Sequence, residues 1–338
     1  GGWANPGAAL RLDGVGATLR GARSTVSGIG QGVSNHLRLA WLINLYPPYV
    51  VGGNEMLARD VVEALRARGH EVHVLTAHGQ QFTGLHDVHQ VLNYDLEQEK
   101  STLFQGARQL TWLEQLRHYV FDRTTYRDVR RTIKALHPDL VVVDNLYQAS
   151  ASPLLALRDL ECPVVAQVAD KWLIYLLRDL DLLLHPAGGA ARLLVRSYVK
   201  AVQPFLWRRA RPDTLVTISG FIKQFYASYG FPANCITPMY LGVDTALYHP
   251  RALPQQATTA LEVTFAGQLW EGKGPQVLVE ALGRLRQETP ELELKLRIIG
   301  TGNAAFLDYL RNEASRWNLA DRTIFEGFLP LPELARRL

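Results

Sequence analysis

Short apolar runs alternate with longer amphipathic segments from about residue 37 onward. Runs rich in Leu, Ile and Val lie at 37–45, 71–76, 139–144 and 163–168. They predict buried strands of a parallel sheet, because such strands are covered on both faces. Between the first two runs, apolar residues recur at helical spacing over 54–68. This strand, helix and strand predict a right-handed crossover, and therefore an α/β fold.

The alternation continues to the end of the chain. Mixed or Leu-rich segments with helical character lie at 100–136, 173–211, 221–229 and 303–317. Further strands are predicted at 213–218, at 235–240, around Val263 and Phe265, at 292–299 and at 322–326. Strands that alternate with helices in this way are typical of doubly wound parallel sheets.

The pattern divides the chain into two Rossmann-like domains. Residues 1–36 are rich in Gly and Ala and lack apolar periodicity, which predicts a disordered N-terminal extension. We expect a first domain over 37–240, a linker over 241–260, and a second domain over 261–338 that is shorter than the first. At 338 residues the chain is long enough for each domain to bury its own core.

Composition excludes several classes of protein. Two cysteines, Cys162 and Cys235, are too few for a disulfide scaffold or a cysteine-based zinc site, and they fit a reducing compartment. No apolar run approaches the roughly 18 residues of a membrane span. The net charge of +4 suits anionic ligands or an anionic membrane surface, and no nucleic-acid-binding signature accompanies it.

The stretch 262–274, EVTFAGQLWEGKG, carries the main candidate chemistry. A predicted strand ends at Gly267, glycines flank Lys273, and Pro275 is well placed to begin a helix. Free amide groups and the positive end of a helix dipole favour phosphate, and Lys273 adds a full charge. The alternative interpretation is an ordinary strand-to-helix turn with a solvated lysine.

Three other places attract attention. Gly52 and Gly53 follow the first strand, where ligands of such sheets bind, although a simple tight turn would also use glycine. Asp170, after another buried strand, is either a catalytic group or the N-cap of the next helix. The arginines of the segment 192–211 either stay in water while the aliphatic residues pack on the sheet, or face a membrane surface.

These motifs resemble the group 1 (family 4) retaining glycosyltransferases over about 37–338. The donor-phosphate loop of that family is matched by Gly267, Leu269, Lys273 and Gly274, whereas Gln268 replaces the usual arginine. The early Pro-Pro, Gly-Gly, Glu pattern is matched by Pro47, Pro48, Gly52, Gly53 and Glu55. The interdomain signature is matched by Gly242, Val243, Asp244 and Pro250, with Leu241 in place of asparagine.

The resemblance also suggests site residues. It implies donor binding by Gly52, Gly53, Gly267, Gln268, Lys273, Gly300 and Gly302, and catalytic roles for Asp170 and Lys273. Relatives carry histidine and aspartate where this chain has Ala169 and Asp170, so no general base is identified; Trp172 also matches the family position. The order of the whole series supports these assignments, since isolated Gly-x-Gly turns are weak evidence.

The resemblance implies a GT-B fold, in which two Rossmann-like domains face a cleft. It implies transfer of a sugar from a nucleotide diphosphate to a hydroxyl with the anomeric configuration retained, without metal or other cofactor. The expected partners are a nucleotide sugar and a glycan, lipid-linked or small-molecule acceptor, with no nucleic acid. The expected location is the cytoplasm, or peripherally the inner face of the membrane.

Two alternatives to this function stay open. One is another GT-B enzyme, such as an inverting transferase or an epimerase. The other is a nucleotide-sugar-binding or partner subunit without catalysis, which Gln268 and Ala169 favour. Because family members carry a further stretch with paired glutamates after the position of Leu338, we expect this exact chain to be incomplete as a catalyst.

Overall fold

The computed structural model describes residues 36–50, 52–82, 84–95, 120–147, 149–160, 162–179, 190–249 and 260–338. The chain separates into two compact units, which divide between Leu241 and Gly242. Apart from its last residue, the predicted N-terminal extension 1–36 lies outside the described residues, as does much of the predicted linker 241–260.

The first unit is built on a seven-stranded parallel sheet. Its strands are β1 Arg38–Leu42, β2 Glu71–His78, β3 Val88–Asp95, β4 Leu140–Val143, β5 Val164–Val168, β6 Thr214–Thr217 and β7 Ile236–Pro238. The strand order is β3-β2-β1-β4-β5-β6-β7, and all pairings are parallel. The chain therefore winds outward in opposite directions from β1 and from β4.

Helices connect these strands. They are α1 Gly53–Ala67, α2 Arg123–Leu136, α3 Ser152–Arg158, α4 Trp172–Leu177, α5 Ala190–Arg209 and α6 Gly220–Ser228. The helix predicted within 100–136 is confirmed for α2, which begins where Asp122 Oδ1 accepts a hydrogen bond from the backbone N–H of Thr125 at 2.8 Å. The earlier part, including 96–119, lies outside the described residues.

Burial explains why the strand predictions succeed. In β1, four consecutive residues from Leu39 to Leu42 are each at most 4% exposed, so helices cover both faces of this central strand. A strand that is buried on both faces carries apolar residues in succession, without the alternation of apolar and polar residues of a half-exposed strand.

Strand β3 is the element that the hydrophobic pattern did not reveal. It lies at the edge of the sheet, and His89, Gln90 and Asn93 interrupt its apolar residues. Asn93 joins it to the start of α2, because its amide group donates to Asp122 Oδ2 at 2.9 Å. An edge strand that is only half covered lacks the continuous apolar run of a central strand.

The second unit contains a three-stranded parallel sheet in the order β10-β9-β8. Its strands are β8 Ala260–Ala266, β9 Glu293–Ile299 and β10 Thr323–Gly327, and its helices are α7 Pro275–Glu288, α8 Ala304–Arg316 and α9 Leu331–Arg337. Val279, Leu296, Ile298 and Leu310 form part of its buried core. The predicted mixed α/β architecture with two parallel sheets is confirmed.

Candidate functional site

In the first unit the candidate residues lie at the carboxyl ends of the strands. Strand β1 pairs with β2 on one side and with β4 on the other, so the connections leaving β1 and β4 diverge. Ligands of open parallel sheets bind in the crevice that this divergence leaves. Gly52 and Gly53 begin α1 there, since they follow the end of β1.

The fold itself does not require glycine at positions 52 and 53. Gly52 has φ of −151°, an extended conformation that any residue adopts. A β-carbon on Gly52 would meet nothing closer than Glu55 Oε2 at 3.9 Å, and one on Gly53 would meet nothing within 4 Å. Neither a tight turn nor close packing therefore explains why glycine occupies positions 52 and 53. The two glycines leave the backbone at the crevice uncovered by side chains.

Glu55 fixes the start of α1. Its Oε2 accepts a hydrogen bond from the Gly52 backbone N–H at 2.7 Å, and the side chain is buried. A glutamate at the third helical position that bonds back to the N-cap amide satisfies a donor that the helix leaves unpaired. Gly52 is thus held although it has no side chain to pack.

Asp144 lies behind this crevice at the end of β4, and sequence reasoning missed it. Its Oδ1 accepts hydrogen bonds from the Asn145 backbone N–H at 2.8 Å and from Asn54 Nδ2 at 3.3 Å. Its Oδ2 is buried without a hydrogen bond within the described part of the chain. Burial raises the pKa of Asp144 to about 7, against the lowering effect of those hydrogen bonds.

The contact with Asn54 links Asp144 to the first turn of α1, one residue after Gly53. Asp144 is 1% exposed, so it supports the loop from below and does not reach a ligand. The signal that could have revealed it is the aspartate that directly follows the buried run of β4. Asn44 joins the same seam, because its backbone N–H donates to the Asn145 carbonyl oxygen at 2.9 Å.

Asp170 follows β5 at the same edge of the sheet. Its Oδ1 accepts a hydrogen bond from the backbone N–H of Trp172, the first residue of α4, at 2.7 Å. The position of the N-cap belongs to Lys171, so the capping interpretation holds in a modified form. Tyr226 donates its hydroxyl hydrogen to the Asp170 carbonyl oxygen at 2.9 Å, which holds the backbone of this loop.

Trp172 is only 2% exposed and packs in the core of the first unit. Its match to the family position therefore reflects packing of α4, and it does not line an open site. Tyr147 is a residue of this edge that sequence reasoning missed: it follows β4 and is 41% exposed. Burial, together with the nearby Tyr175 and Asp170, raises the pKa of Tyr147.

In the second unit, the loops after its three strands are joined to one another. The Gly267 N–H donates to the Ile299 carbonyl oxygen at 2.9 Å, and the Leu269 N–H donates to that of Thr301 at 2.8 Å. The Gly300 N–H donates to the Gly327 carbonyl oxygen at 2.8 Å. The structure thus brings four of the predicted donor-binding residues to one edge: Gly267, Gln268, Gly300 and Gly302.

Crowding between the loops explains two of these glycines. Gly300 has φ of +138°, and a β-carbon there would lie 1.8 Å from the Gly267 carbonyl oxygen. A β-carbon on Gly302 would lie 2.1 Å from the Leu269 carbonyl oxygen. Gly267 is different, because a β-carbon there would meet only the Phe265 ring at an ordinary 3.7 Å. The backbone of Gly267 is therefore accessible at this edge of the sheet.

Lys273 ends a short 3₁₀ turn, Glu271–Lys273, that precedes α7. Gly274 follows in the left-handed conformation at φ of 77° and occupies the N-cap position without a side-chain cap. Lys273 is exposed, and its ammonium group has no hydrogen-bond or ion-pair partner within the described ranges. A cation thus stands next to a helix N-terminus that no side chain caps, and the phosphate-binding role of Lys273 stays a prediction.

Trp270 covers this turn from outside. A β-carbon on Gly272 would lie 2.3 Å from the Trp270 ring, so the ring packs directly on the glycine backbone. The ring remains 52% exposed. A large aromatic surface therefore lies three residues before Lys273.

Among the described residues, no three His, Cys, Asp or Glu side chains come together as metal ligands. Metal independence remains a prediction. Where the structure describes the chain, it contains no helix long and apolar enough to cross a membrane.

Two family models match the chain in succession. Residues 51–247, more than half of the chain, match the model described as Glycosyltransferase Family 4. Residues 260–338 match the model described as Glycosyl transferases group 1.

Curated proteins with similar sequences are enzymes of sugar transfer. The D-inositol 3-phosphate glycosyltransferase of Paenarthrobacter aurescens is 30% identical over 118 residues, which are 33% of this chain and 29% of that protein. The glycogen synthase of Mycobacterium tuberculosis is 25% identical over 299 residues, which cover 86% of this chain and 67% of that protein. The match to the first of these relatives thus spans less than a third of its length.

Solved structures share the fold. Anabaena Alr3699/HepE in complex with UDP superposes with a TM-score of 0.56 at 19% identity, over 88% of this chain and 71% of that chain. The sucrose-phosphate synthase of Thermosynechococcus elongatus superposes with a TM-score of 0.53 at 15% identity, over 88% and 72% of the two chains. At these identities the likeness concerns the GT-B fold alone.

Proposed function

This chain belongs to Glycosyltransferase Family 4, and from that premise we propose that it transfers a sugar from a nucleotide diphosphate sugar to a hydroxyl acceptor. The single observation that carries the proposal is the exposed, unpaired Lys273 beside the start of α7, at the edge where Gly267 and Gly300 meet. UDP in the Anabaena Alr3699/HepE structure supports a nucleotide donor for this fold.

We propose that the donor diphosphate binds at the edge of the second unit. Phosphate oxygens would lie at the start of α7, where the helix dipole favours negative charge. The Gln276 N–H is the donor there, because Pro275 has no N–H and the Gly274 and Val277 amides bond to the Glu271 and Gly274 carbonyl oxygens. Lys273 would supply the full positive charge. Gln268 replaces the cation that the family usually adds here, so a single lysine would carry more of the charge neutralisation.

We propose that the acceptor side belongs to the first unit. The open backbone at Gly52 and Gly53 would allow close approach of the acceptor. Asp170 would contribute its second carboxylate oxygen, since only Oδ1 is used to hold the start of α4. Asp144 would position the Gly52–Gly53 loop through Asn54.

The proposed reaction breaks the bond between the anomeric carbon and the diphosphate oxygen. Negative charge then accumulates on the leaving diphosphate, while the sugar becomes oxocarbenium-like. Lys273 and the positive end of the α7 dipole would stabilise that charge, since the fold sets them in place before the reaction. The acceptor hydroxyl oxygen would bond to the anomeric carbon on the face that the diphosphate leaves, and its proton would pass to the leaving phosphate, so that the anomeric configuration is retained.

The donor sugar is proposed to be a hexose, and the reaction is proposed to need no metal ion. The proposed location is the cytoplasm, which contains nucleotide sugars and keeps cysteines reduced. A second candidate function rests on Gln268 and Ala169: a protein that binds nucleotide sugar without transferring it.

The test of the donor site compares Lys273→Ala with Lys295→Ala by calorimetric titration with UDP and GDP. Lys295 is also exposed but lies on β9 beside Glu293. We expect Lys273→Ala to lose about tenfold or more in nucleotide affinity, because a hydrogen bond between charged groups is lost, whereas Lys295→Ala keeps the parent value. Equal affinities for both variants would refute the proposed diphosphate site.

The test of catalysis uses radiolabelled sugar transfer by the form of the protein that carries the activity. Loss of the Lys273 charge should cost about 2–4 kcal/mol of transition-state stabilisation, comparable to the loss of an oxyanion donor. Proton NMR of the product assigns the anomeric configuration and separates retention from inversion. Nucleotide-sugar binding without transfer or hydrolysis would instead support the binding protein.

A further inference from the structure

The outward face of α5 combines basic and large apolar side chains. The 20-residue helix Ala190–Arg209 contains no acidic residue. Leu193, Tyr198 and Phe205 are 70%, 48% and 55% exposed. Arg196, Lys200 and Arg208 are exposed as well. A helix that leaves three large apolar residues in water among cations has a surface suited to a partner.

The opposite face fixes this orientation. Val199 and Leu206 are at most 2% exposed and belong to the core of the first unit. Because these residues anchor the helix, Phe205 cannot turn inward without exposing Leu206. The outward face is therefore a permanent feature of the folded unit.

Some arginines near the end of α5 have hydrogen-bond or ion-pair partners, and others do not. Arg209 pairs with Asp159 at 3.1 Å. Arg211 donates to the Gly230 carbonyl oxygen at 3.3 Å and lies 5.4 Å over the Trp207 ring. Arg208, like Arg196 and Lys200, has no hydrogen-bond or ion-pair partner in the parts of the chain that the structure describes.

Ion pairs link α5 to a residue of α2. Asp159 pairs with Arg209 of α5 at 3.1 Å, and it also lies 3.8 Å from Arg130 of α2. The other exposed arginines in this part of α2, Arg127 and Arg131, pair with Asp128 at 3.2 Å. These charges are partly neutralised, so the docking face is that of α5.

We propose that the outward face of α5 docks on an anionic lipid bilayer. Cations at spacings of four and eight residues lie along one side of the helix, where each attracts lipid headgroups. Leu193 and Phe205 would enter the boundary between headgroups and acyl chains, while the basic side chains stay at headgroup level. A nucleic acid would match the charges but would leave the apolar side chains unused, whereas a bilayer uses both along the length of the helix.

This inference concerns attachment and is independent of the sugar-transfer chemistry. The test is cosedimentation of the chain with vesicles of phosphatidylcholine alone or mixed with phosphatidylglycerol. We expect binding to the anionic vesicles only, weakened by salt because charges at a surface are screened. Failure to sediment with anionic vesicles at low salt would overturn the proposal, whatever the result of the nucleotide titrations.

The charge component is tested by the triple variant Arg196→Glu, Lys200→Glu and Arg208→Glu. Each basic residue near an anionic surface contributes about a fivefold factor, so the loss should be about 100-fold or more. The matched control is Lys295→Glu, Arg311→Glu and Arg316→Glu, which makes the same charge change on exposed residues of the second unit. Equal binding by the two triple variants would overturn the assignment to α5.

The apolar component is tested by Phe205→Ser. Burial of a phenylalanine ring at the bilayer boundary should contribute about tenfold or more to partitioning. The melting temperature should stay at the parent value, because the ring is already exposed in the folded chain. Unchanged vesicle binding by this variant would overturn insertion and with it the docking of this face.

Discussion

Gly300 lies against Gly267 so closely that a β-carbon on Gly300 would stand 1.8 Å from the Gly267 carbonyl oxygen. Backbone meets backbone here, and neither side can move aside as a flexible side chain would. The contact joins the loops that follow β8 and β9 into one element.

Gly300→Ala should therefore destabilise the second unit by about 3 kcal/mol or more, since it adds a clash to a positive φ. Gly327→Ala is the matched control, because Gly327 also has positive φ, 74°, but open space around its β-carbon position. We expect a cost of about 1–2 kcal/mol there. Amide hydrogen exchange over residues 260–338 measures both, and equal costs would contradict the crowding.

Gly53→Ala should leave stability unchanged or raise it slightly. The position is the first residue of α1, where alanine has space and a better helix propensity, by up to about 1 kcal/mol. Gly53→Val places a larger side chain in the same open space next to the backbone. Under the proposed function, the KM for the acceptor should rise from glycine to alanine to valine, as initial-rate kinetics would show. An acceptor KM and a nucleotide affinity that are both the same for all three would mean that no ligand approaches this backbone.

Asp144→Asn should remove a pH dependence of stability. Burial raises the pKa of the Asp144 carboxyl to about 7 in the folded state, from an unfolded value of 3.8. The folded state therefore takes up a proton that the unfolded state does not, and stability from this group is lost as pH rises from about 4 through about 7.

As pH rises, the parent should therefore lose stability relative to Asp144→Asn. The change in the difference between their free energies of unfolding should be at most about 4 kcal/mol. Urea unfolding at pH 4.5, 6 and 8 measures it. Asp321→Asn is the control, since Asp321 is exposed in the connection between α8 and β10. A difference that stays constant with pH would show that Asp144 is charged in the folded protein at all of these values.

Asp170 can be tested by separating its charge from its hydrogen bond. Asp170→Asn keeps an oxygen that accepts from the Trp172 N–H, so the melting temperature should not change. If the free oxygen serves the reaction, turnover should fall about 100-fold or more. Asp170→Ala loses the hydrogen bond as well and should cost about 1 kcal/mol of stability. Full activity in Asp170→Asn would reduce the residue to a structural role.

Sequence patterns predicted the elements whose burial determines which residue types occur along them. The strands β1, β4 and β5 are covered on both faces, so their apolar runs are continuous, and α7 begins at the proline after Lys273 as expected. The half-covered edge strand β3 left no such run and was missed.

Contacts between distant segments could not be predicted from local pattern. The Gly-Thr-Gly turn gave no sign that Gly300 is required by the carbonyl of Gly267, 33 residues away in the sequence. Asp144 appeared as the end of a strand, and only the fold places it below Asn54. Trp172 matched a motif, but its burial shows that it serves the core.

The position of Asn44 and Asn145 at the seam of β1 and β4 bears on how the first unit acquires its crevice. Their backbone contact joins segments about 100 residues apart, so a chain folded only through β1, β2 and β3 has no such crevice. Ligand at this edge would stabilise the finished sheet but no shorter intermediate. Its binding during refolding would thus mark the moment at which the two halves of the sheet have met.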